Sequence, residues 1–202
     1  MRIKNIFWSI TFLLCSIYSC AQNESDPQTE ASLEYGDKKL NWIDTLQDFN
    51  KTGPKLEISG TLYKKDGKTP AGGVIVYIYH TDQTGNYTAR GNEKVWGKRH
   101  GYSRGWVKTG FDGKYKFYTL KPAPYPGGGA PAHIHALIKE EGRKEHPVDA
   151  IVFHDDPSLT AGDLNRPNPA GGSGVVKLEK QNNGLLVAHR DIFLGQNVRD
   201  YK

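Results

Sequence analysis

Apolar and polar residues alternate along Leu56–Tyr63 (LEISGTLY), the period of a half-buried strand. Asp66-Gly67 then marks a turn. Val74–Tyr79 (VIVYIY) is β-branched and aromatic without a polar break, which predicts a strand buried on both faces. Asp112-Gly113 separates Trp106–Thr109 from Lys114–Thr119 and predicts a hairpin there. His133–Lys139, Val148–His154, Gly174–Leu178 and Leu185–Leu194 have strand character too. Leu40–Phe49 differs: its apolar residues fall at 40, 43, 46 and 49, the spacing of one short helix or of a capping segment spanning 40–55. Many short strands with no convincing long helix predict an all-β fold, a β-sandwich over 56–202. Two connections exceed hairpin length, Thr81–Ser103 and Lys121–Ala132 (KPAPYPGGGAPA), and sites on sandwiches usually lie on such loops.

The first nineteen residues follow another rule. Arg2 and Lys4 precede an apolar run, Ile6–Tyr18, too short for a membrane-spanning helix and suited to a signal peptide. Ile17-Tyr18-Ser19-Cys20 is similar to a bacterial lipobox, which implies a lipid on Cys20 and an extracytoplasmic membrane face, inner or outer not specified. Residues 20–39 are polar and read as a flexible tether. The chain of 202 residues carries a formal charge of +5, part of it in that leader, too little to suggest nucleic-acid binding. Both cysteines, Cys15 and Cys20, lie within the first twenty residues. The body therefore has no disulfide, no thiolate nucleophile and no cysteine-ligated metal.

Chemistry concentrates around His133-Ile134-His135. On a strand both imidazoles point to one face, about 7 Å apart at the backbone, a spacing that can chelate one metal ion. Tyr125 lies eight residues upstream between Pro124 and Pro126, which restrict the direction of its phenol. Tyr87 follows Gly85-Asn86 beyond the buried strand. Each tyrosine taken singly also fits a packing or surface role. No Asp or Glu lies between Phe117 and Lys139, so the segment offers no carboxylate for a two-histidine, one-carboxylate iron site. Two histidines with two phenolates would favour ferric iron over zinc or ferrous iron. Trp96, His100, Tyr102 and Arg104 occupy the first long loop or its end and are candidates for a substrate pocket. His80 ends a buried strand, where a structural role is the simpler reading.

The order of these motifs resembles the intradiol ring-cleavage dioxygenases, the family that includes protocatechuate 3,4-dioxygenase and catechol 1,2-dioxygenase. The matching segments include PAGGVIVYIYH (70–80), TGNY (84–87), TGFDGKYKF (109–117), Pro124-Tyr125-Pro126, PAHIH (131–135), FHDDP (153–157) and DIFL (191–194). The resemblance implies one non-haem Fe(III) held by Tyr87, Tyr125, His133 and His135, with Tyr87 and Tyr125 also catalytic. It implies that a catechol-type aromatic would take the place of Tyr125 and be cleaved by O2 to a muconate-type diacid. Two positions depart from the family: Ala130 stands where an Arg precedes PAHIH, and Ala150 where a Gln is frequent. A missing preorganised cation can cost about 3 kcal/mol of barrier. The alternative is therefore an iron- or catecholate-binding lipoprotein with little turnover, and a metal-free interaction module is the third reading. The oligomeric state is not fixed by the sequence.

Overall fold

The computed structural model describes residues 30–201. Two sheets face each other. One has strand order β4-β3-β6-β7-β8, formed by Arg104–Lys108, Ile75–His80, His133–Lys139, His146–Phe153 and Val175–Val176. The other runs β1-β5-β2-β10-β9, formed by Ile43–Thr45, Lys114–Leu120, Lys55–Tyr63, Leu186–His189 and Glu179–Lys180, with β11 (Ile192–Phe193) beside the end of β2. A helix α1 (Val95–His100) lies in the first long loop, and α2 (Ala161–Leu164) follows β7. Among the described residues no helix is long and apolar enough to cross a membrane.

The core is the inward half of each alternating strand. Leu56, Ile58 and Leu62 of β2, with Tyr115 and Phe117 of β5, meet Val76, Ile78, Ile134, Ala136, Ile138, Ile151 and Phe153 from the opposite sheet. Burial of such apolar area, worth about 25 cal/mol per Å2, pins the register, because a slip of one residue would turn every side chain to the wrong face. On β6 it fixes Ile134, Ala136 and Ile138 inward, so His133, His135 and Leu137 face outward. Opposite His135, β7 carries an extra residue: Ile134 pairs with Ile151 but Ala136 pairs with Val148. Such bulges bend a strand and re-aim its neighbours. The carbonyl of Asp149 in this bulge accepts a hydrogen bond from the buried Arg190 guanidinium.

Four expectations need correction. The Asp112-Gly113 turn is no hairpin: β4 and β5 belong to different sheets, and the chain crosses between them there. Leu40–Phe49 forms no helix, and it is no detached cap, because β1 pairs in parallel with β5. Leu185–Leu194 is two short strands, since Arg190 breaks the run between them. Residues 20–29 of the expected tether, with the leader and Cys20, lie outside the described residues. Residues 30–35 pack against the domain, whereas 36–39 are exposed. Ala31 and Ser32 are fully buried, their amides donate to the Glu145 carboxylate at 3.1 and 2.7 Å, and the Trp106 indole N–H donates to Ala31 O at 3.1 Å. This N-terminal strap runs over the outward face of the five-stranded sheet, where Tyr77, Trp106 and Leu137 lie beneath it.

Candidate metal centre

Two long loops meet at the end of the sheet where β6 begins. In the first, Asp82 accepts from the amide and hydroxyl of Thr84 at 2.8 and 2.6 Å, which folds residues 82–86 tightly and turns Tyr87 back over the sheet. Gly85 has φ +79°, and a Cβ there would stand 2.2 Å from Pro124 O. That contact excludes any side chain and lets the two loops touch. Thr81 Oγ1 ties them further, donating to Ala123 O at 2.6 Å. Tyr125 follows directly. The loop then closes on His133 through Ala132, whose amide donates to Asp156 Oδ2 at 3.0 Å.

Four donor atoms converge as a result. Tyr87 Oη lies 2.8 Å from Tyr125 Oη, which lies 3.1 Å from His133 Nε2, which lies 3.1 Å from His135 Nε2. Ligand atoms each about 2 Å from one shared ion stand about 3 Å from one another. The His133 Nδ1–H donates to Pro131 O at 2.8 Å, so the lone pair of Nε2 points into the cluster. Burial, followed by the neighbouring His133 and His80 rings, holds His135 down to about 4, so it is neutral at pH 7. Two imidazole nitrogens facing each other at 3.1 Å must share either a proton or a cation. Burial and the hydrogen bond with Tyr125 push the Tyr87 phenol up, so it ionises only against a strong positive charge. Among the described residues no group of three or more His, Cys, Asp or Glu side chains is gathered for a metal. The donor set here is two phenols and two imidazoles, and it fits a hard trivalent ion.

The other sequence candidates stand behind this cluster. Tyr79 stacks on His135 with centroids 4.6 Å apart, and His100 stacks on Tyr79 at 3.6 Å and 5°. His100 Nδ1 is bonded to Tyr77 Oη at 2.9 Å, and burial, with the Arg104 charge, holds the ring down to about 4. His100 therefore braces the aromatic stack. Trp96 packs against it, with centroids 5.1 Å apart. Arg104 forms a salt bridge with Glu34 of the strap. Tyr102 lies under Arg90 and donates no group to the cluster, its hydroxyl accepting from Lys51 Nζ at 2.8 Å. Tyr102 and Arg104 border a separate polar cleft of about 290 Å3 with Glu34, Arg90 and Glu93. His80 is saturated by Thr81 O and Thr119 Oγ1, both at 2.7 Å, which suits a structural role. Neither Tyr79, inside an apolar strand, nor Glu34, in a polar stretch, is marked by the sequence as part of the site. Glu34 also accepts from the amides of Trp96 and Gly97 at 3.1 Å, so it fixes the start of α1. Nothing in its polar surroundings signals that role.

A family model described as dioxygenase matches residues 34–185. The chain belongs to the intradiol dioxygenase family. Within it, catechol 1,2-dioxygenase 1 of Acinetobacter lwoffii is 36% identical to this chain over 106 residues, 51% of this chain and 32% of the relative. The chain thus spans about a third of that curated relative's length. The dioxygenase domain of a dioxygenase and carbohydrate-binding protein fusion from Streptomyces sp. SirexAA-E superposes with TM-score 0.57 at 21% identity, covering 78% of this chain and 91% of that one. Catechol 1,2-dioxygenase from Acinetobacter sp. ADP1 gives TM-score 0.56 at 21% identity over 78% of this chain and 59% of that one. At such identities the likeness concerns the fold. Tyr87, Tyr125, His133 and His135 of this chain all lie inside the family match.

Proposed function

We propose that this chain is an Fe(III)-dependent intradiol dioxygenase that opens a catechol-type aromatic with O2 to a muconate-type diacid. The observation that carries the reading is the convergence of Tyr87 Oη, Tyr125 Oη, His133 Nε2 and His135 Nε2 at successive separations of 2.8, 3.1 and 3.1 Å. These four residues would hold the iron. Ferric iron would supply a Lewis acid that draws electron density from a bound catecholate and makes its ring reactive toward O2.

The chain's own residues divide the remaining work. His133 and His135 sit on a core strand whose inward neighbours are fully buried, so they are the rigid donors. Tyr87 is wedged between Tyr79 and Tyr125, with centroids 5.8 and 6.0 Å away. Tyr125 is the donor built to move. Its loop continues into Gly127-Gly128-Gly129, where an added Cβ would meet nothing within 4 Å. As a phenolate, its oxygen, lying between Tyr87 and His133, would be placed to take a proton from an incoming catechol hydroxyl and become the phenol. For the membrane location, the lipobox-like Ile17–Cys20 supports a lipid on Cys20 and an extracytoplasmic face.

Oxygen uptake by the iron-loaded protein with a panel of catechols tests the reaction. The expected result is equimolar consumption of O2 and catechol, with both oxygen atoms in a ring-opened diacid. Catechol binding with no oxygen uptake would replace this reading with that of a catecholate-binding protein.

A further inference from the structure

The end of the sandwich opposite the donor cluster carries a feature the reaction does not use. β6 runs from His133 at the cluster to Lys139 at that other end, about 20 Å away at strand rise. The turns 64–74, 109–113 and 140–145 gather there. Phe111 is at the apex of the second, with its side chain 97% exposed. The turn needs nothing from that ring: Gly113 N donates to Gly110 O at 2.8 Å, and Asp112 Oδ1 accepts from Lys114 N at 3.2 Å. Gly72 of the neighbouring turn lies directly against the Phe111 backbone. Beside it opens a cleft of about 450 Å3 lined by Lys64, Lys65, Lys108 and Arg143, with Glu140, Glu141 and Tyr201. Arg143 and Tyr201 engage Glu140, whereas Lys64, Lys65 and Lys108 form no ion pair among the described residues. Trp42, 39% exposed, enters the same end, where Asn41 O accepts from Lys108 N at 2.9 Å.

The described chain also begins at this end. Glu30 pairs with Lys139 and accepts from Glu145 N at 2.6 Å. Cys20 is ten residues earlier, so covalent geometry alone keeps Glu30 within about 35 Å of it. A lipid on Cys20 would hold this end near the bilayer at high effective concentration. An aromatic tip with lysines around it is the chemistry of an interfacial contact with anionic headgroups.

We propose that the turn end of the sandwich docks on the bilayer, Phe111 entering the interface among Lys64, Lys65 and Lys108, so that the donor cluster faces away from the membrane. This rests on the lipid-anchor reading and extends it from tethering to a fixed orientation. Without it a tethered domain would tumble and occlude its own site part of the time.

The test uses the full chain, matured in a bacterial host and reconstituted in phosphatidylethanolamine–phosphatidylglycerol vesicles. Lys114→Cys beside the tip and Lys98→Cys on α1 at the far end each create a unique thiol, because the Cys20 sulfur carries the lipid as a thioether and Cys15 is removed with the leader. Each is labelled with an environment-sensitive fluorophore. The expected result is a label at position 114 shielded from an aqueous quencher, while the label at 98 stays exposed. Phe111→Ser should return the label at 114 to water with the chain still vesicle-bound and its thermal midpoint unchanged. A lipid-bearing chain whose two labels are quenched equally overturns the docking alone. So does shielding that survives Phe111→Ser. A mature chain whose mass carries no lipid overturns the anchor and the docking with it.

Discussion

His133 and His135 share one face of β6 with Leu137, only two residues further on, yet the surroundings are unlike. Leu137 lies under the strap with Tyr77, Trp106 and the fully buried Ala31. The histidines meet two phenols brought in by loops that stop short of sealing them. The strand alternation is the same in both halves, so the alternation supplies a face and the covering segment decides its use. The strap covers with amide hydrogen bonds and a buried ion pair. The loops cover with phenol oxygens whose partners are each other and the His133 imidazole.

Removing a donor should have the largest effect on the difference between the halves. His135→Ala should abolish tight iron binding and turnover while the fold persists, since the core beneath is made by Ile134 and Ala136. Iron content and circular dichroism of the purified variant check both halves of that statement. Retention of stoichiometric iron would contradict the ligand assignment.

The strap half breaks at Glu34. Its carboxylate is 5% exposed and its Arg104 partner 12%. Glu34→Gln leaves that guanidinium buried without its counter-charge, which should destabilise the protein by about 3 kcal/mol. Denaturant unfolding measures it. Iron binding at the donor half should survive, and its loss would show that the strap supports both halves.

A third comparison is with pH. His135 and His100 are each held near 4, with burial the first cause, against an ordinary value of 6.5. Between those values the unfolded chain binds protons that the folded chain refuses. Stability of the iron-free protein should therefore be level above about pH 6.5 and fall as the pH drops toward 4. Thermal midpoints across that window test the sign. A midpoint that rises on acidification would contradict it.

The smallest expected effect sharpens the boundary between the halves. Tyr79 is stacked on His135 on one side and His100 on the other. Tyr79→Leu keeps the hydrophobic bulk but removes the stack, worth about 1 kcal/mol. The expected signature is a broadened ferric resonance with iron still bound. An unchanged resonance would mean that the ring only fills space.

How much was legible in the sequence follows from the same physics. β6 was readable to the residue, because its alternation is strict and is bounded by Pro131 and a polar turn. All four donors were legible from residue type and family motif, and the structure brings them together. The Asp112-Gly113 turn is ambiguous in the sequence because a tight turn has the same residues whether its strands pair or cross to the other sheet. The strap leaves no pattern in the sequence because it is bound through the amides of Ala31 and Ser32 and through Glu34 rather than through an apolar stripe. Arg104 has the right chemistry for a substrate-binding cation, but its place on β4 beside Tyr79 gives it to Glu34 instead.

One measurement tests the central claim most directly: the visible absorption spectrum of the iron-loaded protein before and after anaerobic catechol. The account predicts a tyrosinate-to-Fe(III) charge-transfer band that moves to longer wavelength when catechol binds and is lost in Tyr87→Phe. A protein that stays colourless with stoichiometric iron added, or whose colour ignores both catechol and Tyr87→Phe, would contradict it.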